Sequence, residues 1–86
     1  MIRALFVGGV VDNSEMDLEG PQPPKNYPEN TGGGASRYSL RQLGVDGERV
    51  VYAVYGAPEV DDAFVERVAD ERDYARRFEA TPQTVH

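Results

Sequence analysis

The 86-residue chain predicts an α+β domain: a four-stranded, mainly antiparallel sheet of two hairpins, with one C-terminal helix packed on one face. Three observations carry this expectation. The apolar run from Ala4 to Val11 contains a Gly8-Gly9 pair and leads into the turn-forming Asp12-Asn13, which is the pattern of a strand entering a hairpin. Asp46-Gly47 separates two further alternating segments and accepts the positive φ that tight hairpins need. Beyond them, Val60, Phe64, Val68 and Ala75 recur near the 3.6-residue period of an amphipathic helix.

Ile2 to Val7 is apolar on both alternating faces apart from Arg3, so this strand is expected to be covered on both sides. In Glu15 to Glu19, Met16 and Leu18 turn inward and three carboxylates outward. Residues 20–36 hold four prolines, four glycines and no hydrophobic period, and read as a long loop, either a connector or a binding loop. Arg37 to Leu43 alternates as a half-buried strand, and Glu48 to Tyr55 returns beside it. In the returning strand, Val50, Tyr52 and Val54 face one side and Val51, Ala53 and Tyr55 the other. Pro58 suits a first helical turn, where its missing N–H costs nothing, and the helix is expected to run to near Glu79. Residues 1–80 form one domain in this reading, and 81–86 a flexible C-terminal tail.

Composition excludes several classes of function. With Cys 0 there is neither a disulfide framework nor a thiolate metal site. The longest apolar run, Ala4 to Val11, is far short of the ~20 residues that cross a bilayer. Arg3 is not followed by an apolar segment with a small-residue cleavage site, so no secretory leader is expected and the expected location is cytoplasmic. The net charge is -6, and ten of the 15 acidic residues fall in residues 44–86. Such a surface repels phosphate backbones, so direct nucleic-acid binding is not expected.

The only histidine is His86, which leaves the common serine, cysteine and zinc chemistries without base, nucleophile or ligands. No catalytic residue and no cofactor are therefore assigned. The numerous carboxylates read first as solvated faces, although Asp62, Glu66 and Asp70 give the helix an acidic side that suits a basic groove on a partner. Gly32-Gly33-Gly34 precedes a strand and lacks the Lys of a phosphate loop, so a linker is the simpler reading. Even so, Gly33 and Gly34 with Arg37 and Arg41 keep a small-anion site in play. Pro21-Gln22-Pro23-Pro24 has the spacing of a polyproline ligand, and Tyr27 beside it supplies an aromatic anchor. The candidate contact residues are thus Tyr27, Gly33, Gly34, Arg37, Arg41, Asp62, Glu66 and Asp70.

The opening Met-Ile-Arg-Ala-Leu-Phe-Val-Gly-Gly-Val-Val-Asp-Asn, with Arg37-Tyr38 and Val51-Tyr52 further on, resembles a loose group of short phage and prophage proteins. These begin with an apolar strand followed by Gly-Gly-Pro-x-Asp-Gly. Gly8, Gly9 and Asp12 match that pattern, whereas Val10 stands in place of the proline and Asn13 in place of the second-turn glycine. The resemblance implies a phage-type gene product and brings no catalytic residues. One face of the sheet, with Phe6 or Leu5, Val51 and Tyr55, is left without a cover in this reading, so self-association or a protein partner is expected. The leading expectation is a non-enzymatic accessory protein that binds a host or defence protein. A virion component of the head or tail and an oligomeric nucleotide or small-anion sponge are the alternatives.

Overall fold

A computed structural model describes residues 1–27 and 37–85. The fold is small and mixed α/β, dominated by a curled sheet with one main helix. The strands are β1 (Ile2–Val7), β2 (Glu15–Leu18), β3 (Asn26–Tyr27), β4 (Tyr38–Asp46), β5 (Arg49–Gly56) and β6 (Thr81–Thr84). The helices are α1 (Asp62–Glu71) and the single turn α2 (Tyr74–Arg77). The sheet runs β2-β1-β5-β4-β3, and β6 pairs with β4 on the edge it shares with β3. All pairs are antiparallel except β1 with β5.

Both expected hairpins form, but among the described residues the sheet has six strands rather than four. Asn26–Tyr27, expected inside a loop, forms the short β3, and residues 81–84 of the expected tail form β6. Both additions satisfy the outer edge of β4, whose hydrogen-bonding groups otherwise face solvent. Neither segment carries an alternating apolar pattern. Thr81 to Thr84 is exposed throughout, so backbone pairing rather than burial holds it.

The helix also departs from expectation. Pro58 lies in a turn before it, and α1 starts later because Asp61 is the better cap: its carboxylate accepts from the N–H of Phe64 at 2.8 Å. The predicted continuous helix is broken after Glu71. Asp73 takes a left-handed conformation, φ 59°, and this corner turns the buried Tyr74 and the partly buried Phe78 onto Tyr52.

The sheet separates two cores. Leu5 and Val7 of β1 and Tyr52 and Val54 of β5 meet Val65, Ala69 and Tyr74 on the helix side. Gly44 of β4 is required there, since a Cβ at this position lies 1.9 Å from a ring carbon of Tyr52. On the opposite side Ile2, Ala4, Phe6, Leu18, Tyr38, Ala53 and Tyr55 form a second, aromatic core. Phe6 lies at its centre, with ring centroids 5.6 Å from Tyr27, 5.3 Å from Tyr38 and 5.6 Å from Tyr55.

This second core answers the question of the uncovered face. Residues 19–25 leave β2 at one edge of the sheet and lead to β3 at the other. On the way Pro24 accepts a hydrogen bond from the Tyr55 hydroxyl at 2.7 Å, and the Lys25 carbonyl accepts from the Leu40 N–H at 2.8 Å. Curling of the sheet and this proline-rich strap bury Phe6 and Tyr55. The expectation of an open apolar face, and the case for self-association that it supplied, are corrected accordingly.

Candidate functional site

The apolar run does not continue as a strand to Val11. β1 ends at Val7, and residues 8–14 form a loop in which two glycines and Asn13 have positive φ. Gly9 is required on two grounds: its φ is +69°, and a Cβ there lies 2.5 Å from the Tyr38 hydroxyl oxygen. Asn13, at φ 66°, donates its N–H to the Phe6 carbonyl while the Phe6 N–H donates to Ser14. Two residues thus oppose one at the entry to β2, as in a bulge whose first residue is left-handed.

Three side chains lock this loop from outside it or across it. The Tyr38 hydroxyl donates to the Gly8 carbonyl and accepts from the Val11 N–H at 3.1 Å. The Asp12 carboxylate accepts from the Gly8 N–H at 2.8 Å on Oδ1, and both of its oxygens accept from Arg72 Nη2, Oδ1 at 3.0 Å and Oδ2 at 3.1 Å. Arg72 in turn donates to the Phe6 carbonyl at 3.3 Å and contacts the Tyr74 hydroxyl at 3.1 Å. The Gly8 amide holds the Asp12 carboxyl below its usual range; desolvation, next in size, opposes it, and Arg72 adds to the lowering.

The locked loop presents apolar side chains to solvent. Val10 is 94% exposed and Val11 38%. Beside them lies an apolar groove of about 340 Å³, with Phe6, Met16, Tyr27 and Tyr38 among its lining residues. A wider cleft of about 780 Å³ at the opposite end of the sheet is lined by Met1, Ile2, Asp46, Glu48 and Arg49 among others. Its lining mixes the buried Ile2 and half-buried Val50 and Val51 with exposed Met1, Asp46, Glu48 and Arg49, whereas the groove adjoins a loop held by Tyr38, Asp12 and Arg72. The groove with Val10 and Val11 is therefore the candidate site.

Of the residues singled out from sequence, Tyr27 belongs to this site, as part of the aromatic core and the groove wall. Gly33 and Gly34 lie outside the described residues. Arg41 is committed to internal contacts: it donates to Ser39 at 2.7 Å, to Asp62 at 2.8 Å and to the Ala57 carbonyl at 3.1 Å. It therefore ties β4 to the start of α1, with Asp62 as its partner. Arg37 begins the approach to β4 and is half-buried. Glu66 accepts from the Thr84 hydroxyl at 2.8 Å and links α1 to β6. Asp70 lies near Tyr52, whose hydroxyl is pushed to a higher pKa first by burial and then by that charge. The acidic residues of α1 are thus distributed among separate structural contacts and do not converge with Tyr27.

Sequence reasoning missed Val10, Val11, Asp12, Tyr38 and Arg72. A signal for the first two was present: a valine pair between Gly8-Gly9 and Asp12-Asn13, where a turn ordinarily carries polar residues. The Asp12–Arg72 tie joins residues 60 positions apart, and no local pattern announces it. Searches of protein-family models, curated proteins and solved structures return no significant match to this chain.

Proposed function

We propose that this chain is a non-enzymatic, phage-type accessory protein that binds a host or defence protein, and that the Val10–Val11 loop with its adjoining groove is the contact surface. The observation that carries this reading is the locked presentation of Val10. An apolar side chain left 94% exposed on a loop held by Tyr38, Asp12 and Arg72 is desolvated at little further cost in conformational entropy when a partner covers it. Binding energy concentrates on such rigid anchors and on the pockets beside them. The phage-type part of the reading rests on the Gly8-Gly9…Asp12 resemblance, and the choice of a protein target on the small size and acidic balance of the chain. The covered second face favours a partner protein over a second copy.

The test is site-specific cross-linking in a bacterial host. A photoreactive residue at position 10 is expected to capture a discrete host protein, and the same residue at position 48, on the far hairpin, is expected not to. Capture should disappear on adding Val11→Asp to the position 10 variant. Equal capture from positions 10 and 48, or none from position 10, overturns the reading.

A further inference from the structure

We propose that the outer edge of β2 takes up an extended segment of the partner as an added strand, and that this segment alternates basic with apolar residues. The inference rests on the reading of the chain as a protein-binding module and specifies the chemistry of its partner. Among the described residues β2 is one end of the sheet, with β3 and β6 at the other. The Phe6 N–H donates to the Ser14 carbonyl, and hydrogen-bonded pairs recur at every second residue of an antiparallel ladder. In the register of β1 with β2 those pairs are Ala4 with Met16 and Ile2 with Leu18. The N–H and C=O groups of Glu15 and Asp17 therefore point away from β1, toward an incoming strand.

Side chains on the two faces of β2 set what such a strand must carry. Met16 and Leu18 belong to the aromatic side, where Met16 lines the groove next to Val10 and Val11. Glu15 and Asp17 are on the helix side. Their present cations are held on inner elements: Arg3 of β1 lies 3.2 Å from Asp17, and Arg77 of α2 lies 3.1 Å from Glu15. Asp17 is nevertheless 52% exposed, and the exposed Glu19 extends the acidic row. An added strand with Lys or Arg on this face and aliphatic residues on the other matches both.

The same row decides against a second copy. If two β2 edges paired antiparallel about Asp17, Glu15 of each would fall opposite Glu19 of the other and Asp17 opposite Asp17, and like charges directly opposite destabilise a sheet. The edge is thus closed to itself and open to a basic segment.

Amide NMR of the full chain titrated with the peptide Lys-Val-Lys-Val-Lys tests this. Saturable shifts centred on Glu15 to Leu18 are expected. Affinity should fall by about tenfold or more when the amides of the peptide facing β2 are N-methylated, and likewise for the composition-matched Lys-Lys-Lys-Val-Val and for Glu-Val-Glu-Val-Glu. Asp17→Pro, which removes an outward N–H on an edge strand, should also abolish the shifts while leaving those of an unbound fold in place. No saturable binding, or equal binding by the N-methylated or reordered peptide, overturns strand addition. A cross-link from position 10 without peptide uptake removes this inference alone, whereas peptide uptake without any cross-link removes the loop as contact surface.

Discussion

Tyr38 shows how much of the candidate site depends on one hydroxyl. Its ring belongs to the aromatic core, edge-on to Phe6, and its oxygen bridges the Gly8 carbonyl and the Val11 N–H across 30 and 27 residues of sequence. Tyr38→Phe keeps the ring and removes the bridge, which leaves two backbone groups without their partner in a part-buried place. The expected cost is about 1–3 kcal/mol of unfolding free energy, read from chemical denaturation. Hydrogen exchange at the Val11 amide should accelerate more than exchange in β5, because the loop opens while the core stays packed. Uniform acceleration throughout the sheet would mean that Tyr38 acts through global stability and does not pin the loop. Sequence alone could place Tyr38 on a half-buried strand, because alternation reports the face of a residue. It could not place the hydroxyl over Gly9, because that contact depends on β5 and β1 lying between β4 and β2 in the sheet.

Whole elements were legible wherever side-chain burial or turn chemistry sets them. The strand at Ile2–Val7, the hairpin around Gly47 and an amphipathic helix beyond Pro58 each follow from period or from a turn residue. Elements held by backbone pairing or by one distant ion pair were not. β6 is exposed along its length, and the corner at Asp73 brings Arg72 to the first loop through an Asp12 that sequence reading assigned only to a turn. The Asp12 carboxylate, held first by the Gly8 N–H and then by Arg72, has a measurable consequence. The carboxyl of Asp12 is held below its ordinary value of 3.8 in the folded chain, so the unfolded chain binds its proton first as acid is added. Its contribution to stability is present above the unfolded pKa and is lost as pH falls through the lower folded value. Asp12→Asn retains an acceptor for the Gly8 N–H but no charge for Arg72. The variant should be less stable than the parent at about pH 6, and the gap in urea midpoint should narrow as pH falls below the ordinary carboxyl value. Because Asp12 is 47% exposed and Arg72 25%, solvent screening keeps this gap small. A gap independent of pH would show that the carboxylate charge does not contribute.

At the scale of the molecule, a sheet with both faces occupied changes what the surface has left to offer. An 86-residue chain with one open apolar face ordinarily covers it by associating. Here α1 and α2 cover one face, and the strap through Pro24 and Lys25 covers the centre of the other. At one end of the sheet β3 and β6 cover the outer side of β4, and at the other β2 presents Glu15, Asp17 and Glu19. The net charge of -6 adds mutual repulsion between copies. What remains apolar and exposed among the described residues is small and scattered: Val10 and Val11 beside the groove, and Met1 and Phe64 apart from it. Sedimentation equilibrium at moderate salt is therefore expected to give the single-chain mass of 9.5 kDa across a broad concentration range. Raising the salt, which screens repulsion between exposed carboxylates, should permit at most the weak edge-to-edge pairing that those charges oppose, because the two cores are already closed within one chain. Removing charge from the edge is a more demanding version of the experiment. With Asp17→Asn and Glu19→Gln together, the acidic row is broken where two β2 strands would face each other. A monomer in the parent and weak, concentration-dependent dimers in the double variant would identify the carboxylates as what keeps this edge from its own kind. Dimers in the parent that persist at low concentration would instead return the closed second face to question.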